Sequence, residues 1–254
     1  MTINNSTNGY YEDVYMDYSV SLALYDFAPV LFIGIAMFYV WRMVQNFAPE
    51  QAQLAAVGGI LVVTAGLTKA GWKLIVATTS MDIYFLSQLL FPLMAPGFIL
   101  VMFAVWAMVR RANDKTVPTW FSILPVVVIA GAFLWAGQRM FILQIERGWF
   151  QPLLMLVSIG NVALISMLVS ASMRHKKWGL AGLFFLNIVM TFALQPIATM
   201  ENLSITMHWI EQTLTTFGAG AFAFAAYQLS RVLLGTPDAE PMRIADEPSF
   251  AEIL

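Results

Sequence analysis

LAAVGGILVVTAGLTKAGWKLIVA, residues 54–77, carries two charges, Lys69 and Lys73, in an otherwise apolar and small-residue run. About 20 such residues, rising ~1.5 Å each as a helix, cross a hydrocarbon core of about 30 Å. Strands of a membrane barrel would instead need ~10-residue alternating segments, which the run does not contain. Inside lipid each backbone N–H and C=O must be satisfied within the segment, so the run is read as a helix.

Six further runs have the same character, at 26–46, 83–109, 119–140, 151–173, 178–198 and 205–230. The chain as a whole is 59% hydrophobic and 11% charged. A soluble domain carries about 25% charged residues, so this sequence lacks the polar surface to coat a water-soluble globule. The predicted fold is therefore an all-α integral membrane protein, a bundle of seven transmembrane helices spanning 26–234. An acidic, Tyr-rich tail (1–25) precedes it, and an acidic tail (235–254) without periodicity follows it and reads as disordered. The N-tail holds Glu12, Asp13 and Asp17 and no Lys or Arg, unlike the basic start of a signal peptide. The first run is thus expected to remain as an anchor.

The basic residues predict orientation. Arg42, Arg110, Arg111, Lys115, Arg174, Lys176, Lys177, Arg231 and Arg243 fall on one side of the seven spans, against Arg139 and Arg147 on the other. The positive-inside rule makes the first side cytoplasmic. Seven spans then place the N-terminus outside and the C-terminus in the cytoplasm, as expected for a multi-pass protein of the cytoplasmic membrane. This plan resembles that of microbial rhodopsins and G-protein-coupled receptors in span count and orientation. The retinal-binding members of that group carry a lysine in the seventh span, and residues 205–230 contain none.

Polar side chains are distributed unevenly with depth. Lys69, Lys73, Gln88, Asn161 and Gln195 lie in the outer or central parts of their spans, as do His208 and Glu211. The stretches GFILVMFAVWAMV (97–109) and AGAFAFAAY (219–227) hold no charge. A polar cavity opening outward above a dry cytoplasmic half is the expected arrangement. Lys69 and Lys73 are four residues apart and His208 and Glu211 three apart, so each pair shares a helix face. A Lys73–Glu211 ion pair, or a cluster of Lys69, Lys73, Glu211 and Asp26, would line the cavity. The alternative is that Lys73 and Glu211, flanked by Trp72 and Trp209, snorkel into the headgroups. Pro92 and Pro96 are expected to interrupt the third span and Pro125 the fourth. Glycines at 58, 59, 66, 218 and 220 allow helices to approach closely.

Several chemistries find no support. No cysteine is present, which removes disulfides, thiolate metal sites and cysteine nucleophiles together. His175 and His208 lie at opposite ends of the predicted bundle, so paired haem ligation is not expected. No hydrolase elbow or phosphate-binding loop occurs, and nothing indicates nucleic-acid binding. No cofactor is expected. Membrane lipids, a small molecule arriving from outside and a cytoplasmic or membrane protein are the expected partners. The favoured function is a ligand-binding or sensing subunit, or an accessory subunit, rather than an enzyme. A secondary transporter or proton-linked carrier is the second reading. A lipid-modifying enzyme using His208 and Glu211 as acid and base is the third.

Overall fold

The computed structural model describes residues 19–79, 81–198 and 205–235. Among them every regular element is helical. The elements are α1 (Val20–Tyr25), α2 (Phe27–Phe47), α3 (Ala52–Thr79), α4 (Tyr84–Gln88), α5 (Leu90–Arg111), α6 (Leu124–Gly137), α7 (Phe150–Arg174), α8 (Trp178–Ala198) and α9 (Ile205–Leu234). A π-helical turn, Gln138–Ile142, extends α6.

Six units are long and apolar enough to cross a membrane: Val20–Phe47, Pro49–Thr79, Tyr84–Arg111, Leu124–Ile142, Phe150–Arg174 and Ile205–Leu234. The run 178–198 is also helical, as α8, and Trp178–Leu194 is the part of it described as apolar. The protein is accordingly a helical membrane protein. Of the expected N-tail 1–25, residues 20–25 form α1 and belong to the first apolar unit, Val20–Phe47; residues 1–18 and 236–254 of the two expected tails lie outside the described residues.

The helices α2, α3, α5, α7, α8 and α9 pack in that order around a ring, which closes through contact between α9 and α2. Helix α6 stands outside it, leaning on α7 and α5. Its surroundings explain its composition: it is apolar on all sides and leaves Val126, Val127 and Leu134 exposed. A helix hydrophobic all round belongs in a nonpolar solvent.

One half of the ring is densely packed. Phe98, Ile99, Val101, Val105 and Met108 of α5 share one buried cluster with Leu164, Ile165 and Leu168 of α7 and Phe222, Ala226 and Leu229 of α9. Helices α3 and α5 cross almost backbone to backbone. A Cβ on Gly58 would lie 2.7 Å from the Gly97 carbonyl oxygen, and one on Gly97 would lie 2.9 Å from that of Gly58. Without a hydrophobic drive between helices in lipid, such close contact supplies the dispersion that holds them. The rim beyond this half is tied by Arg111 to Glu50 (2.9 Å) and by Arg174 to the Asn113 side-chain oxygen (2.6 Å).

The prolines act differently from expectation in two places. Pro125 lies in the first turn of α6 and starts the helix rather than interrupting it, because a missing N–H is harmless there. The third span does break, at Leu89 between α4 and α5, with Pro92 in the first turn of the second piece. Pro96 is accommodated inside α5.

Candidate functional site

The end of the bundle opposite the Arg111 and Arg174 rim collects charge. Asp26 is the junction residue between α1 and α2, and its backbone N–H donates to the Leu22 carbonyl at the end of the first. Only 6% of it is exposed. Position 26 begins a stripe on α2 that continues as Val30, Gly34 and Met37, while Lys73 begins one on α3 that continues as Gly66 and Gly59. The stripes pack together: Cβ atoms built on Gly66 and Gly59 would meet Val30 and Met37. At the head of this seam the Lys73 ammonium lies 2.5 Å from Asp26 Oδ2. Asp26 Oδ1 is buried and accepts no hydrogen bond among the described residues.

Lys69, one turn further into the bundle, lies over the ring of Trp72 at 4.4 Å. The Trp72 indole N–H donates to Asp82 Oδ1 at 2.8 Å, fastening the α3–α4 link to the helix. Lys73, Asp26, Glu211 and Arg147 all lie within electrostatic reach of Lys69. On α9, His208 Nδ1 and Glu211 Oε2 are 3.8 Å apart, too far for a hydrogen bond but close enough for charge attraction. Tyr25 and Trp209 bring α1 against α9, with ring centroids 5.8 Å apart.

Arg147 reaches this end through the α6–α7 link. There Gln144 and Arg147 both adopt left-handed backbone, at φ 50° and 54°. Arg139 fastens the link by donating to the Gly148 carbonyl (3.2 Å) and to Gln151 Oε1 (3.0 Å). Side-chain Cβ space at Gly148 is closed by the Arg139 backbone at 2.9 Å, so the chain must carry glycine at this fold-back.

The residues singled out in the sequence thus separate into groups. Lys69, Lys73, His208 and Glu211 come to one end of the bundle, together with Asp26. The carboxylate in contact with Lys73 is that of Asp26, not of Glu211 as the depth argument alone suggested. Gln88 lies in the short α4 and donates to Ser87 Oγ at 3.0 Å. Asn161 is half-buried in α7 and makes no side-chain hydrogen bond among the described residues. Gln195 belongs to α8, but its side chain lies outside the described residues. Deeper in, Asn187 of α8 donates to the Gly218 carbonyl of α9 at 3.0 Å, a structural tie between neighbouring helices.

Sequence reasoning placed Arg147, with Arg139, on the side opposite the basic clusters, and no local signal ties it to Lys69. No group of three or more His, Asp or Glu side chains converges as a metal site among the described residues. Two open cavities, of about 310 and 530 Å³, run along the outer surface of α2 and α3. Their walls include Gly34, Phe38 and Val63 and no charged side chain, so both are distinct from the charged cluster. No protein-family model, curated protein or solved structure matches this chain.

Proposed function

We propose that this protein is a ligand-binding or sensing subunit, or an accessory subunit, of the cytoplasmic membrane. In this reading α8 also spans the membrane, as the sixth of seven spans in chain order, the N-terminus is outside and the C-terminus is cytoplasmic. The charged end faces out and receives a small polar or amphipathic molecule, while the cytoplasmic loops and tail engage a protein partner. The observation that carries the reading is the contrast between the two ends. Asp26, Lys69, Lys73, His208 and Glu211 gather at one end, whereas the other half holds a buried apolar cluster that includes Val105, Met108, Leu168 and Leu229. Ionisable groups within spans are costly and usually serve a pathway or a ligand.

A transporter is the second reading, and the depth of Lys69 within its span favours it. The close packing below supports a sensor instead, because transport requires access from both sides. Screening purified protein for small molecules that raise its thermal stability tests the proposal. The expected result is a stabilising compound whose effect disappears in Lys69→Met. Uptake into proteoliposomes, abolished by the same substitution, would replace the sensor with the carrier.

A further inference from the structure

Lys69 lies ten residues inside the end of α3, or ~15 Å along the helix. Charges from three other parts of the chain, namely Asp26, Glu211 and Arg147, lie within its electrostatic reach. Yet no carboxylate lies within ion-pair distance of it among the described residues; its described contact is the face of Trp72. The carboxylates nearby are already engaged. Asp26 holds Lys73, Glu211 stands beside His208, and Asp82 accepts from the Trp72 indole. Arg147, exposed at the mouth, also lacks a carboxylate within ion-pair distance among the described residues. Three cations, Lys69, Lys73 and Arg147, therefore share this end with the carboxylates Asp26, Glu211 and Asp82, and two of them, Lys69 and Arg147, have no carboxylate within ion-pair distance among the described residues.

A buried cation gains most from a partner of opposite charge held by further hydrogen bonds. An ammonium that lies on an aromatic ring keeps its apolar side covered and its remaining donors available. We propose that Lys69, Lys73 and Arg147 form a subsite for an anionic group, carboxylate or phosphate, entering from the charged end, with Trp72 as its wall. This inference rests on the ligand-binding reading above and adds the chemical class of the ligand. The same chemistry is offered by a free organic or inorganic anion and by the headgroup of an anionic lipid. Glu211 and Asp26 oppose the anion and limit the site to one such group.

The test uses the full-length protein in nanodiscs of phosphatidylcholine. Thermal unfolding is followed with acetate, succinate or inorganic phosphate replacing chloride at constant ionic strength, and separately with phosphatidylglycerol added to the disc. The expected result is a saturable rise in Tm of a few degrees with one of these anions. It should vanish in Lys69→Met and in Arg147→Gln and persist in Lys69→Arg. Arg147 is an exposed loop residue, so its variant reports on binding even where Lys69→Met folds poorly. A rise with phosphatidylglycerol alone assigns the anionic group to a lipid; a rise with soluble anions assigns it to a solute. An unchanged rise in both charge-removing variants overturns the inference. Stabilisation by neutral or cationic compounds, with none by any anion, overturns it too but leaves the ligand-binding reading standing. Stabilisation by nothing at all sinks both.

Discussion

Lys73 and Asp26 meet at 2.5 Å with 13% and 6% of their side chains exposed, joining the middle of α3's outer turns to the junction between α1 and α2. Breaking a buried pair strands the surviving charge, at a cost of about 3–5 kcal/mol, whereas removing both members together is often nearly neutral. Asp26→Asn and Lys73→Met should each destabilise the protein strongly, and the double variant should recover most of the loss. Thermal unfolding in one detergent measures all three. Equal, additive losses in singles and double would mean that water already screens the pair.

The same cycle run on Lys73→Met and Glu211→Gln should show little coupling. Glu211 stands nearest His208 rather than Lys73, and groups without direct contact usually combine within about 0.5 kcal/mol. A coupling as large as that with Asp26 would restore the Lys73–Glu211 pair.

At the other rim, Arg111 and Glu50 make a pair of similar length, but their side chains are 45% and 40% exposed. Exposed pairs contribute about 0–1 kcal/mol. Glu50→Gln should therefore shift the unfolding midpoint by far less than Asp26→Asn, although both remove one carboxylate.

Helix crossing at Gly58 and Gly97 should be intolerant of side chains. Overpacking costs about 1–3 kcal/mol when neighbours can shift, and here the obstructing atoms include backbone carbonyls. Gly58→Val and Gly97→Val should lower stability and yield of folded protein. Gly71→Val in the same helix as Gly58 serves as the control, because a Cβ there meets nothing within 4 Å. Comparable losses at all three positions would mean that backbone effects, not packing, dominate.

Because the chain has no native cysteine, single cysteines report the proposed orientation directly. A membrane-impermeant maleimide added to intact cells should label Gln144→Cys and should reach Lys176→Cys only after permeabilisation. The reverse pattern would invert the bundle and turn the charged end toward the cytoplasm.

The helices themselves were legible in the sequence because crossing a membrane is a local requirement. A run of apolar residues of sufficient length commits its own backbone to a helix, and polar interruptions end it. The expected run 54–77 became α3 at Ala52–Thr79, and 151–173 became α7 at Phe150–Arg174. Junctions were less legible. Asp26 separates α1 from α2 with nothing in VSLALYDFAPV (20–30) to mark the break except the acid itself and Pro29.

The sequence by itself determined that the chain is helical and membrane-embedded, and that the titratable residues Lys69, Lys73, His208 and Glu211 lie within its apolar runs. It also showed which titratable residues share a helix face, since that depends only on the 3.6-residue turn. Only the tertiary structure decided that α6 stands outside the ring, that Asp26 rather than Glu211 holds Lys73, and that Arg147 approaches Lys69. The reason is rotational. Helices that are apolar on nearly every side carry little sequence record of which face meets which neighbour, and depth along the membrane normal does not supply the missing angle. That angle is set by contacts such as Gly58 with Gly97 and Val30 with Gly66, where close packing selects one rotation of each helix.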